Sequence, residues 1–275
     1  PLALMSLTDH RLNQLCRTNL DGIPLDLAAR LLPTGSRLRF GLLIHLHLHA
    51  MLQRSAGKGK PGGTGTTDSS KRVGRNALLG LIDSLEATVS RLNRGAGGMG
   101  WADYYQNNTY SSEAIEHKPR LVGEFLDDAR PSSVWDLGSN VGEFSRIASD
   151  RGIPTISFDI DPECVEANYR EVKRRGESNI LPLILDLCNP SPPSGWLGEE
   201  RPGVLDRTRP DLAMALALVH HLVFVGNQPL ENVVELFRRI APSLIIEFVP
   251  TDDPQAVRLI ERLDGKHHRY DQTHF

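Results

Sequence analysis

Cysteine and aromatic residues are scarce in this chain: it has three cysteines and 6% Phe, Trp and Tyr among 275 residues. Cys16, Cys164 and Cys188 are too few and too scattered for a disulfide framework or a thiolate zinc site. They fit a reducing, cytoplasmic compartment. Long apolar runs are missing too. The longest, GLLIHLHLHAML (41–52), is too short and too broken by histidine to span a bilayer, and no signal peptide is visible. No membrane partner is expected. Charge of one sign is also lacking: 31 Lys and Arg stand against 34 Asp and Glu, a net charge of −3. That balance gives no global pull toward nucleic acid, which is therefore a disfavoured partner.

What is present suffices for a sizeable core, since 40% of the residues are hydrophobic and 24% charged. The length suits one and a half to two domains. Residues 1–100 read as a helical N-terminal or cap region. Thr8 is placed to cap a helix carrying Leu12, Leu15 and Cys16, and 24–32 is a short helix stopped by Pro33. The Leu38–Leu52 run fits either a buried helix or a strand, and its length favours a helix. Residues 55–75, rich in Gly, Ser, Thr and basic side chains, predict a mobile loop. At 77–93 an amphipathic helix follows, with Asn76 as its cap and a face of Leu78, Leu81, Ile82, Leu85, Val89 and Leu92 suited to a core or a domain contact. His45, His47 and His49 have no carboxylate or cysteine nearby to complete a metal site, so no metal is expected. Residues 101–130 form a connecting segment placed to cover a ligand.

From Pro131 the pattern changes to alternating strands and helices. Strands are predicted at 133–138, 155–160, 180–186, 211–218 and 243–249. Helices are predicted from about Glu143, from Pro162 to about Arg175, at 229–241 and at about 254–264. Fully apolar strands alternating with helices imply an α/β fold: a doubly wound, mostly parallel Rossmann-like sheet with its ligand at the carboxyl ends of the strands. The domain is expected to run over 131–275.

Three acidic residues fall at or beside the ends of the first three strands: Asp136, Asp159 and Asp186. Gly138 and Gly142 flank the first strand-to-helix turn, with Asn140 where a dinucleotide fold would place its middle glycine. The spacing G-x-x-x-G, an acid before it and Glu143 after it make a poor phosphate cradle and a plausible seat for an amino-acid group. A P-loop is excluded, because no G-K-[ST] ends the turn. Asp159, 21 residues after Gly138, can accept two ribose hydroxyls. Asp161 and Pro162 read as a helix cap and first helical residue. Asp186 can accept from an adenine amino group.

Together, V-W-D-L-G-S-N-V-G, I-S-F-D-I-D-P, L-D-L and D-L-A-M-A-L-A-L-V-H-H-L resemble the successive motifs of class I S-adenosylmethionine (SAM) dependent methyltransferases. The likeness covers roughly residues 131–250. With the His-His pair and L-I-I-E-F-V-P, the set also resembles a bacterial group that includes a rhizobial nodulation host-specificity methyltransferase. The resemblance implies that the Asp136–Gly142 loop, with Asn140, holds the methionine end of SAM, Asp159 the ribose and Asp186 the adenine. S-adenosylhomocysteine would be the product and an unidentified methyl acceptor the partner. Two departures stand out. Asn140 replaces a glycine, and only five strands can be counted, so the family's sixth and seventh are expected to be missing or shortened.

After strand four, His220 and His221 are candidates for a general base, since histidine titrates near neutrality. Against that stands a role in capping or packing the next helix. Tyr104, Tyr105, Tyr110 and Lys118 are candidates for lining the acceptor pocket, against ordinary packing and a solvated lysine. Trp196 could stack near adenine or anchor its loop. Neutral charge slightly favours a small-molecule acceptor over RNA or protein. The rivals are a nicotinamide-dependent oxidoreductase and a non-catalytic binding module on the same sheet.

Overall fold

The computed structural model describes residues 1–56, 74–92, 112–261 and 269–275, the side chains of 56 and 112–116 excepted. The chain divides into two compact units, Pro1–Gly97 and Gly98–Phe275.

The N-terminal unit is helical. It contains α1 (Leu2–Leu7), α2 (Leu25–Leu31), α3 (His49–Ala56) and α4 (Arg75–Ser90), with shorter helical turns between them. Leu4, Ile23, Ala28, Leu32 and Leu42 form its core, and Leu92 packs against them. The helix expected after residue 8 is capped by Asp9, not Thr8. The Asp9 carboxylate accepts from the Arg11 amide and carries a 3₁₀ turn over His10–Gln14. The Leu38–Leu52 run is helical, and Leu43–Leu48 is wound as a π-helix. His47 is bonded to Ser36 and His45 to Ser84, each at 2.8 Å. Gly74 is the N-cap of α4 and no side chain caps it, so Asn76 lies inside the helix. Its Leu78, Ile82 and Leu85 stay outside the N-terminal core. The expected mobile loop falls largely outside the described residues.

The C-terminal unit contains five strands: β1 (Val134–Leu137), β2 (Thr155–Asp159), β3 (Ile180–Ile184), β4 (Leu212–Ala215) and β5 (Ser243–Ile246). All neighbours pair in parallel, in the order β3-β2-β1-β4-β5. The connections reverse between β1 and β4, the switch point where open α/β sheets place a ligand crevice at the carboxyl ends. β1 and β4 are buried along their whole length. β4 stops at Ala215, short of the expected 218. β5, expected to be buried, is an edge strand with Leu244 and Ile246 exposed.

The two faces are covered by different helices. Val134, Leu212, Met214 and Ile245 pack with Val122 and Leu126 of α5 (Ser112–Ala129) and Ala148 of α6 (Glu143–Ser149). Asn168 of α7 (Pro162–Arg175) bonds to Ser157, on the side of β2 that continues this face. Trp135, Leu137, Phe158, Ala213 and Ala215 pack against α8 (Val219–Phe224) and α9 (Leu230–Ile240). α10 (Pro254–Glu261) adds Leu259 and Ile260 at the margin of that second core. α7 shows how local rules set its ends. Asp161 accepts from the Glu163 amide at 2.8 Å, and Pro162 is the first helical residue. Three basic residues occupy the last turn, and Gly176 closes it at φ 66°.

Candidate active site at the switch point

The turn from β1 to α6 spends its own amides. Gly138 and Ser139 both donate to the Phe158 carbonyl at 2.9 Å. The Asn140 amide donates to the Asp159 carboxylate at 2.7 Å, Val141 to the Asn140 side-chain oxygen at 2.7 Å, and Gly142 to the Ser139 carbonyl at 2.9 Å. Five consecutive N–H groups are thus satisfied within the protein, where a pyrophosphate cradle needs them aimed at the ligand. Asn140 lies at φ 51°, in the left-handed region that a glycine would normally fill. Asparagine is the side chain that best tolerates this region, so the missing middle glycine does not break the turn. Gly142 at φ 80° has no room for a side chain: a Cβ there would overlap Asn168.

The three acidic residues are placed differently. Asp136 lies under the turn, 2% exposed, on the face covered by α6. Its carboxylate accepts from the Ser145 hydroxyl at 2.6 Å. Ser145, Ser157 and Ser139 continue as a buried hydroxyl chain at 3.0 and 2.7 Å, and Asn168 donates to Ser157 at 2.8 Å. Burial pushes the Asp136 carboxyl up to about 6, with Ser145 opposing the shift and the nearby Asp159 charge adding to it. Asp136 is therefore enclosed by protein and presents almost no surface of its own. Asp159 ends β2. Its two oxygens accept from the Asp161 amide at 2.8 Å and the Asn140 amide at 2.7 Å. Burial raises its pKa while those amides oppose the shift. Asp186, half-buried two residues beyond β3, accepts from the Cys188 amide at 2.9 Å. Glu143 occupies the first turn of α6, so an acid sits where an anion would bind.

Across the crevice, the turn after β4 puts Ala217 at φ 48°, a strained conformation for alanine, before α8 begins. His220 and His221 follow, ring centroids 4.2 Å apart. Burial pushes His220 down to about 3, helped by the charges of His221 and Lys118, and pushes His221 down to about 4. Both rings are neutral at pH 7, unlike the near-neutral titration expected. His220 Nδ1 is buried without a hydrogen-bond partner. Lys118 of α5 bonds to Glu247, just past β5, at 2.7 Å and lies 4.8 Å from the centroid of the Phe144 ring. It is a paired side chain, not a solvated one.

Tyr104, Tyr105 and Tyr110 lie outside the described residues. Trp196 is 75% exposed in a short 3₁₀ turn. Sequence reasoning missed Glu247, 129 residues from its partner Lys118, and Ile160, an exposed apolar side chain directly after Asp159. It also missed Arg146, described below. Only Ile160 had a local signal, as an apolar residue immediately past a strand-end acid. Among the described residues no group of three His, Cys, Asp or Glu side chains is placed to hold a metal ion. Among them, too, no helix is long and apolar enough to cross a membrane.

No protein-family model matches the chain. It is similar to nodulation protein NoeA of Rhizobium meliloti (strain 1021), with 35% identity over 263 residues, covering 94% of this chain. The chain spans about half the length of that relative, 55%. Among solved structures it is similar to magnesium protoporphyrin IX methyltransferase from Synechocystis PCC 6803 with bound S-adenosylhomocysteine. That match has 15% identity and a TM-score of 0.40, and covers 63% of this chain and 77% of the other. It is also similar to a SAM-dependent methyltransferase from Thiobacillus denitrificans in complex with S-adenosylhomocysteine, with 16% identity and a TM-score of 0.37, covering 53% and 52%. A third likeness is to the bifunctional kinase-methyltransferase WbdD, with 17% identity and a TM-score of 0.41, covering 55% and 32%.

Proposed function

We propose that the C-terminal unit binds SAM and transfers its methyl group to an acceptor. The observation that carries this reading is the internal use of all five amides from Gly138 to Gly142, beside the carboxylates of Asp136 and Asp159. A dinucleotide would find no amide free for its phosphates there, and would meet Glu143 as well. SAM has no phosphate; its ammonium and sulfonium outweigh its single carboxylate, and that net positive charge and the ribose hydroxyls suit an acidic crevice. The Asp159 carboxylate, which accepts the Asp161 and Asn140 amides, has further lone-pair capacity for a ribose hydroxyl. Ile160 offers apolar surface for a flat base, and Asp186 an acceptor for its amino group.

When bound, SAM supplies an electrophilic methyl carbon on a positively charged sulfur. The chain aligns the acceptor with that carbon and keeps water out. His220, neutral, buried and with Nδ1 unpartnered, is the candidate to orient the acceptor's nucleophile. A proton affinity this low makes His220 or His221 an orienting group that takes the proton only as the new bond forms. Lys118 and Glu247 provide paired charges for acceptor recognition, with Tyr104 and Tyr110 as further candidates. A small-molecule acceptor is favoured on charge grounds over RNA or protein.

Calorimetric titration with S-adenosylhomocysteine, with NAD alongside, tests the reading. Micromolar binding of the former alone is expected, weakened in Asp159→Ala by about 1–3 kcal/mol, the scale of a hydrogen bond to a charged group. Binding of NAD in its place would establish the oxidoreductase, and binding of neither would favour a non-catalytic module.

A further inference from the structure

Arg146 of α6 is 8% exposed and makes four side-chain hydrogen bonds. Its Nη1 donates to the carbonyls of Val141 and Gly142, both at 2.9 Å. Its Nε and Nη2 donate to the two carboxylate oxygens of Glu177, both at 3.1 Å. Glu177 lies in the turn between α7 and β3, and the two side chains are only 10% and 13% exposed. The left-handed residues Asn140 and Gly142 alternate with Val141, so the end of the turn is a bent backbone outside any ladder. Arg146 crosses beneath it and joins it to a second turn 31 residues away.

We infer that Arg146 and Glu177 are the positioning pair of the turn that the proposed function assigns to the methionine end of SAM. The inference rests on that reading for the ligand, but not for the strut. A guanidinium fits the task because its donors lie in one plane and diverge, so that one edge can meet a carboxylate while the other meets carbonyls. A lysine ammonium is a point donor that cannot span both. Glu177 fixes the plane of the guanidinium, and the guanidinium fixes where the two carbonyls sit. The amides of the same residues then keep their internal partners, and the turn stays closed to phosphate and shaped for its ligand before the ligand arrives. Arg146 touches neither the ligand nor the reacting atoms; it acts through the turn.

The test uses the full chain with Arg146→Lys and the milder Glu177→Gln. Amide hydrogen exchange over 138–142 is measured without ligand, and affinity for S-adenosylhomocysteine by calorimetry. Arg146→Lys is expected to speed exchange in the turn, leave β1 and β4 protected, and weaken binding about tenfold or more, the loss of one hydrogen bond to a charged group. Glu177→Gln keeps the carbonyl contacts and is expected to fall between it and the wild type. Wild-type exchange in the turn of Arg146→Lys would overturn the inference, and so would weaker binding with the turn unchanged. If Arg146→Lys fails to fold, Glu177→Gln alone decides: wild-type exchange and affinity overturn the strut. A wild type that does not bind S-adenosylhomocysteine removes the proposed function, while the exchange data still decide the strut.

Discussion

At the scale of the residue, burial moves the titrating groups of the crevice in opposite senses. Asp136 goes from 3.8 up to about 6. Between those values the folded chain holds a proton that the unfolded chain has released, so stability falls as pH rises through that window. His220 and His221 go from 6.5 down to about 3 and about 4. Below pH 6.5 the unfolded chain protonates them and the folded chain does not, so their contribution to stability falls as pH drops. Asp159 is shifted in the same sense as Asp136, and the two imidazoles are expected to outweigh the carboxyls. The urea midpoint is therefore expected to fall from pH 7 to pH 5. His221→Gln should shrink that fall, and Asp136→Asn should enlarge it while raising stability at pH 7. Equal falls in all three proteins would contradict the assignment. None of this could be read from the sequence, where the pair looked like a base of ordinary affinity. Their neutrality comes from tertiary burial.

At the scale of the element, what was legible followed local rules. Asp161 before Pro162 and three basic residues before Gly176 are enough to bound α7, because each end is decided by atoms within one turn. The start of α4 was misplaced because Asn76 caps only if the backbone is extended there, and nothing local enforces that. β5 looked buried because Leu244, Ile245 and Ile246 are apolar; its edge position depends on what lies beside it. Asp136, Asp159 and Asp186 were legible as candidates from the strand pattern, whereas Lys118–Glu247 and Arg146–Glu177 join distant segments and left no local trace. The turn itself gives a controlled comparison. Gly142 and Gly152 both have positive φ, 80° and 77°, but only Gly142 has a neighbour, Asn168, where a Cβ would go. Gly152→Ala is expected to cost about 1–2 kcal/mol, the left-handed penalty alone. Gly142→Ala should cost more, because the buried Asn168 must also move. Denaturant unfolding of the two variants measures the difference, and equal losses would mean that Asn168 yields freely.

At the scale of the whole molecule, a ligand that binds only the folded C-terminal unit stabilises it by mass action. S-adenosylhomocysteine at 100 times its dissociation constant is expected to add about 2.7 kcal/mol, seen as a higher thermal midpoint, with NAD leaving the midpoint unchanged. No shift at a saturating concentration would contradict specific binding. The reversal between β1 and β4 has a further consequence. Asp136, Asn140, Asp159 and Asp186 all come before residue 190, while His220, His221 and Glu247 all come after residue 210. On the proposed function, donor and acceptor chemistry are thus written on successive stretches of the polypeptide, and Lys118 reaches Glu247 of the second. A lineage that kept the first stretch and varied the second could change what is methylated while inheriting its methyl source intact.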